Sequence, residues 1–224
     1  MIDNLLKHEQ IVLSIVQEYL NKNRCFTIDD IVPYINFRIK KFSENIDQAG
    51  IKEILKSLVK KKQILEGSKL VKEDVLNNDN RRKIFNFICK NPGVYFNRIA
   101  EELDLSNYIL AWHIKMLLKF NYIRSKVIEK HEVFFNADFQ VDSEKEQVLF
   151  FISKQKVRKI IDYLNYNPEG CSKTRISKEL GMHSTTIDRY MNKLEKYGIL
   201  QKKRLSNKTL YFINDNCYRD FLNN

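Results

Sequence analysis

Apolar residues recur along this chain at helical spacing, in blocks divided by short breaks, and the blocks repeat. From Arg82-Lys83-Ile84-Phe85 a helical pattern runs to Asn91-Pro92-Gly93, and from Arg158-Lys159-Ile160-Ile161 another runs to Asn167-Pro168-Glu169-Gly170. Pro and Gly at those ends act as helix stops. A short amphipathic segment follows each, Arg98-Ile99-Ala100-Glu101-Glu102-Leu103 and, at an offset of 77 residues, Arg175-Ile176-Ser177-Lys178-Glu179-Leu180. Ile and Leu lie four apart in both, on one helical face. The segments break at Asp104-Leu105 and Gly181-Met182, and Ser106 and Ser184 then offer N-cap hydroxyls to a third helical pattern. Its inner stripe is Leu110, Ile114 and Leu117 in one copy and Ile187, Met191 and Leu194 in the other, and it ends at Asn121 or Gly198.

β-rich runs come next. Tyr122 to Val127 and Val133 to Phe135 flank Glu129-Lys130-His131, and Ile199 to Leu205 and Thr209 to Ile213 flank Ser206-Asn207-Lys208. Each pair predicts a hairpin. Three helices, with a short break between the last two, followed by a hairpin is the winged helix-turn-helix order, and here it occurs twice in register. The expected fold is mainly α with small β wings (α+β), as tandem winged helix-turn-helix domains: a middle unit over 77–138 and a C-terminal unit over 154–224, with 139–153 as a linker or helical extension.

Residues 1–76 carry a weaker version of the pattern. A helix from Leu5 to Leu20, a capped segment Thr27 to Val32, an insertion Asn36 to Glu44, a helix Gln48 to Lys62 and a stunted hairpin Ile64 to Val71 suggest a divergent winged-helix-like domain. A chain of 224 residues accommodates several such units, each with a small core of its own.

Charge then narrows the partners. Lys and Arg outnumber Asp and Glu by 39 to 28, a formal charge of +11 with an isoelectric point near 9.4, which favours polyanions, nucleic acid before an anionic membrane. The excess is concentrated: residues 154–213 carry 14 basic and 5 acidic side chains, residues 79–136 carry 10 and 6, residues 1–76 carry 13 and 11, and 137–153 is acidic. The N-terminal MIDNLLKHEQ lacks a basic region followed by an apolar run, and no window approaches the ~18 apolar residues that span a bilayer. A cytoplasmic protein without membrane insertion is expected.

Candidate reaction chemistry is sparse. Cys25, Cys89, Cys171 and Cys217 are scattered singly, without the paired spacing of a zinc or redox site. No phosphate-binding glycine loop, metalloprotease helix or nucleophile elbow occurs, and the chain has only 6 glycines. We expect no enzyme activity, no catalytic residue, no metal and no cofactor; His113, beside an apolar stripe, reads as a partly buried structural residue.

The segment Lys173 to Leu200, with Ser184-Thr185-Thr186-Ile187-Asp188-Arg189-Tyr190 at its centre, resembles the MarR/ArsR-like winged-helix regulators abundant in archaea, and the middle unit, with Asn91-Pro92-Gly93-Val94-Tyr95-Phe96 and Ala111-Trp112-His113-Ile114, is similar to the same group. Asn121 stands where such proteins usually place Gly after the third helix. The resemblance implies a transcriptional regulator that lays its third helix in the major groove of double-stranded DNA and its wing along the backbone. The DNA-facing candidates are then Ser184, Thr185, Asp188, Arg189 and Asn192 on the C-terminal third helix, and Lys202, Lys203, Arg204 and Lys208 on its wing. In the middle unit they are Asn107, Tyr108, Ala111, Trp112 and Lys115. Arg189 is the strongest candidate for a base, since an Arg can pair with guanine O6 and N7 together.

Rival readings stay open at this level. Tandem winged helices also serve as protein-interaction adaptors, as in general transcription factors or ESCRT adaptors, without sequence-specific DNA binding, and fold alone does not separate the two. Phe37, Ile39 and Phe42 in the Lys-rich insertion suit a protein partner for the N-terminal domain. RNA binding ranks below both, for want of an RNA-binding signature. A homodimer is compatible with the resemblance, although two units in one chain can imitate one.

Overall fold

The computed structural model describes residues 6–42, 44, 46–205 and 208–222. The chain divides into two compact units: residues 1–85 with 111–122, and residues 86–110 with 123–224.

The first unit is built on three helices, α1 (Lys7–Lys22), α2 (Ile28–Ile39, followed by a 3-10 turn over Lys40–Phe42) and α3 (Gln48–Lys60), with a single turn of helix, α4 (Lys72–Val75). Val12, Ile15, Val16, Ile31, Ile35, Ile51, Leu55 and Leu58, at helical spacing, meet in its core. Side-chain caps start two of the helices: Thr27 Oγ1 accepts from Asp30 N–H and Asp47 Oδ1 from Gly50 N–H. Leu5, the expected start of the first helix, lies outside the described residues, as does Ser43 of the expected insertion. Ile39 is buried, so only Phe37 and Phe42 of the expected partner-facing trio are exposed.

The stunted hairpin expected over 64–71 is a looped turn, and no residue from 6 to 76 described here is in a strand. Lys72 N–H donates to Gln63 O across the base of the loop, Gly67 N–H donates to Phe26 O, and Leu70 N–H is taken by Ser68 Oγ at 3.1 Å. Backbone donors committed in this way are not available to a ladder.

The repeat seen in the sequence becomes a repeated order of elements. The first copy runs α5 (Asp79–Lys90), β1 (Val94–Tyr95), α6 (Phe96–Leu103), α7 (Asn107–Lys119), β2 (Ile123–Ile128) and β3 (His131–Asn136). The second runs α9 (Gln155–Asn165), α10 (Lys173–Leu180), α11 (Ser184–Lys196), β4 (Leu200–Leu205) and β5 (Lys208–Ile213), and α12 (Asp215–Leu222) follows. Corresponding joints are made alike. Asn91 and Asn167 each donate a side-chain amide to the carbonyl four residues back, of Phe87 and Tyr163. The residues after the second helices, Asp104 and Gly181, are both left-handed, as are those after the third, Asn121 and Gly198. Asn tolerates that conformation better than other non-glycine residues, so Asn121 fills the glycine's place.

Strand order in the larger sheet is β1-β3-β2, all antiparallel, with Val94 opposite Phe134 and Arg124 opposite Phe135. The other sheet is the β4-β5 ribbon, with Lys203 opposite Leu210. Cys171 bridges to Tyr211 beside it, as Val94 does to Phe134.

Within the stretch 139–153, Ser143–Ser153 form helix α8, and Val148, Leu149, Phe150, Phe151 and Ile152 are all buried. A run buried on every side lies inside a core rather than on a surface. Val133 and Phe135 from the first copy and Ile160, Ile176, Ile187, Met191 and Leu194 from the second belong with it to one continuous cluster. One core thus runs from the second copy through α8 to Val133 and Phe135 of the first. Gly93 lets this happen: a Cβ there would lie 2.7 Å from Phe150 N. Across the same core Glu146, buried, takes Arg124 at 2.6 Å and Lys126 at 2.5 Å.

Candidate nucleic-acid interface

Helix α11 is anchored by Ile187, Met191 and Leu194, each fully buried, which turns the remaining face outward. Ser184, Thr185, Asp188, Arg189 and Asn192 are all exposed on it. The expected cap is displaced by one residue. His183 is the N-cap, its Nδ1 accepting from Thr185 N–H at 3.4 Å and meeting Thr185 Oγ1 at 2.8 Å, and Ser184 begins the helix. An imidazole nitrogen does the work of a hydroxyl here, and the first helical turn keeps backbone donors of the kind that bind phosphate.

Asp188 and Asn192 are one turn apart and share a partner that the sequence alone did not single out. Lys173, on α10, places Nζ 2.9 Å from Asp188 Oδ1 and 2.9 Å from Asn192 Oδ1. Burial opposes the charge on Lys173, but the Asp188 carboxylate and the Tyr211 side chain outweigh it and raise its pKa, so the ammonium persists at neutral pH. The one acidic side chain among the five candidates is therefore neutralised in place. Arg189 extends from the same surface with its guanidinium 4.9 Å from the Tyr190 ring centroid, an arrangement that orders a long side chain without removing its charge.

Gln201 to Leu205 of β4 are exposed throughout, so the ribbon projects from the core. Alternation puts Lys202 and Arg204 on one face and Lys203 on the other. Lys203, Arg204 and Lys208 have no carboxylate partner among the described residues, whereas Lys202 is paired with Glu195 of α11. Ser206 and Asn207, expected in the turn of this wing, lie outside the described residues.

The first copy presents a different surface. Asn107, Tyr108, Ala111, Trp112 and Lys115 are exposed on α7, Tyr108 at 85 %. Trp112 has Arg81 5.6 Å from its ring centroid and His113 edge-on at 4.9 Å. His113 is buried, with Nδ1 unpartnered; burial and the Arg81 charge lower its pKa and keep it neutral.

The turn between β2 and β3 is committed inside the second unit. Glu129 and Lys130 both have positive φ, the two-residue hairpin geometry that matches strand twist. The Glu129 carboxylate binds Lys154 and, at 3.2 Å, Lys193 on the rear of α11, with a lowered pKa that those hydrogen bonds impose against burial. This hairpin is thus tied through an acid at its tip to the neighbouring third helix.

Among the described residues no group of His, Cys, Asp and Glu is placed to hold a metal ion. No described helix is long and apolar enough to cross a membrane.

Comparison with known proteins places the same segment. Residues 154–201 match the family described as winged helix-turn-helix DNA-binding. Over 150 residues, 67 % of this chain, the sequence is 31 % identical to an uncharacterised HTH-type transcriptional regulator of Methanocaldococcus jannaschii, and the match spans 37 % of that protein's length. The matched residues span α9, α10, α11 and the start of β4, so a winged helix-turn-helix domain similar to that DNA-binding family lies there.

Proposed function

We propose that the protein is a cytoplasmic, non-enzymatic transcriptional regulator of the MarR/ArsR-like kind, which binds double-stranded DNA through its C-terminal winged helix. Helix α11 enters the major groove with Ser184 and Thr185 leading, Arg189 and Asn192 reach base edges, and Lys203, Arg204 and Lys208 of the β4-β5 ribbon lie along phosphates. The observation that carries this reading is the pairing of an exposed polar helix face, its acid Asp188 neutralised by Lys173, with a projecting ribbon on which Lys203, Arg204 and Lys208 have no carboxylate partner among the described residues. The first copy of the repeat plays an accessory part, since the Glu129 carboxylate at its hairpin tip is tied down by Lys154 and Lys193.

The test is equilibrium binding of the full chain to random-sequence duplex DNA at low salt, for the wild type and for the variant Arg189→Ala, Lys203→Ala, Arg204→Ala. Binding that the variant loses supports the proposal. No binding by the wild type at about 50 mM salt, where phosphate contacts are strong, favours the adaptor reading, for which the exposed Phe37 and Phe42 are the surface to examine.

A further inference from the structure

A groove opens in the first unit beside Trp112, with a volume of about 530 Å³ and walls from the Leu65–Leu70 turn, Asn78, Arg81, Met116 and Lys119. That volume falls inside the roughly 300–1,000 Å³ of small-molecule sites. Three features give the groove a chemical character. The first is a flat aromatic surface, the half-exposed indole of Trp112. The second is charge: Arg81, Lys69 and Lys119 line it against the single acid Glu66. The third is an unmatched cation. Arg81 is only 5 % exposed, its Nε donates to Val75 O, and no carboxylate pairs with it among the described residues. A guanidinium out of water without a counter-charge is costly, and an anion arriving in the groove relieves that cost. Asn78, whose Oδ1 accepts from Arg81 N–H, retains its amide hydrogens as donors on the same wall.

We propose that this groove binds a nucleoside monophosphate, with the base against Trp112 and the phosphate dianion between Arg81, Lys69 and Lys119. Three cations and one carboxylate leave two positive charges, the complement of a phosphate monoester, and a planar base can stack on the indole. Trp112 is also among the DNA-facing candidates of α7, so a nucleotide held there would compete with DNA for it. This consequence rests on the DNA-binding reading; the binding of the nucleotide does not.

Trp112 is the one tryptophan of the chain, so selectively excited indole fluorescence of the full-length protein reports on the groove alone. In DNA-free buffer, AMP should quench that fluorescence saturably. Adenosine, which has the base without the phosphate, should bind at least about tenfold more weakly, a loss of ~1.4 kcal/mol. The double variant Lys69→Glu, Lys119→Glu alters two exposed side chains and should weaken AMP to the same degree while leaving the far-ultraviolet circular dichroism unchanged. Absence of saturable quenching by AMP would overturn the proposal, as would equal affinity for adenosine or an unaffected double variant. Tighter quenching by a single-stranded oligonucleotide than by AMP would also overturn it and assign the groove to a nucleic-acid strand. Since no DNA is present, the result is separate from the fate of the DNA-binding reading.

Discussion

Replacing Lys203, Arg204 and Lys208 together by Ala removes three exposed cations from the β4-β5 ribbon without touching the core, since all three are solvent-facing and none has a carboxylate partner among the described residues. If each neutralises one phosphate, each contributes about 0.9 to the slope of log affinity against log salt, so the triple variant should be shallower by about 2.7. Over a fourfold rise in salt, from about 50 to about 200 mM, the wild type should therefore lose roughly 40-fold more affinity than the variant. Fluorescence anisotropy of a labelled duplex, titrated at several salt concentrations, measures the two slopes directly. Lys202 is left out because Glu195 already holds it. Equal slopes for wild type and variant would refute the placement of this ribbon on the backbone, even if the protein still binds DNA.

Other consequences can be checked separately. Glu195→Gln frees Lys202 and removes an anion beside the ribbon, so it should tighten DNA binding and steepen the salt slope by up to about 0.9. Glu146→Gln leaves Arg124 and Lys126 facing a neutral group in the core; as both cations are partly solvated, we expect a loss of about 2–3 kcal/mol, less than a fully buried pair, or about 4–12 °C in thermal midpoint. Burial raises the Glu146 pKa, but hydrogen bonds from Lys126 and Arg124 outweigh it and leave it lowered. The carboxylate's contribution is thus complete above the unfolded value of about 4.5 and fades as pH falls through the folded value, so the gap between wild type and variant, followed by circular dichroism, should close in acid. Gly93→Ala sets a Cβ 2.7 Å from the Phe150 backbone nitrogen; no rotamer relieves a backbone clash, and urea unfolding should show a loss of at least about 2 kcal/mol.

What could be read in the sequence was what depends on local chemistry. The stripes Leu110, Ile114, Leu117 and Ile187, Met191, Leu194 were legible because periodicity alone sends them inward, and all six are buried. The helix stops were legible because Gly and Asn have distinctive backbone preferences. Residues whose roles come from distant partners were not. Arg98 and Arg175 open matching helices, yet Arg98 is buried with a bond to Ser153 O while Arg175 is exposed beside Glu169. Lys173 acts on Asp188 and Asn192 only because α10 and α11 fold together. The Ile64–Val71 segment has strand-like composition, but side-chain bonds of Ser68 claim its backbone. Likewise the apolar run of α8 gives no sign, by periodicity, of which neighbours will cover it.

The central claim is that α11 reads DNA, and the most direct measurement selects a preferred duplex from a random pool with the wild-type chain and then compares Arg189→Ala with wild type on that site and on single-base variants of it. The account predicts a preferred site containing a guanine whose replacement costs the wild type about 1–3 kcal/mol and costs the Arg189→Ala protein little. Selection of no preferred sequence, or a preference that survives unchanged in Arg189→Ala, would contradict it.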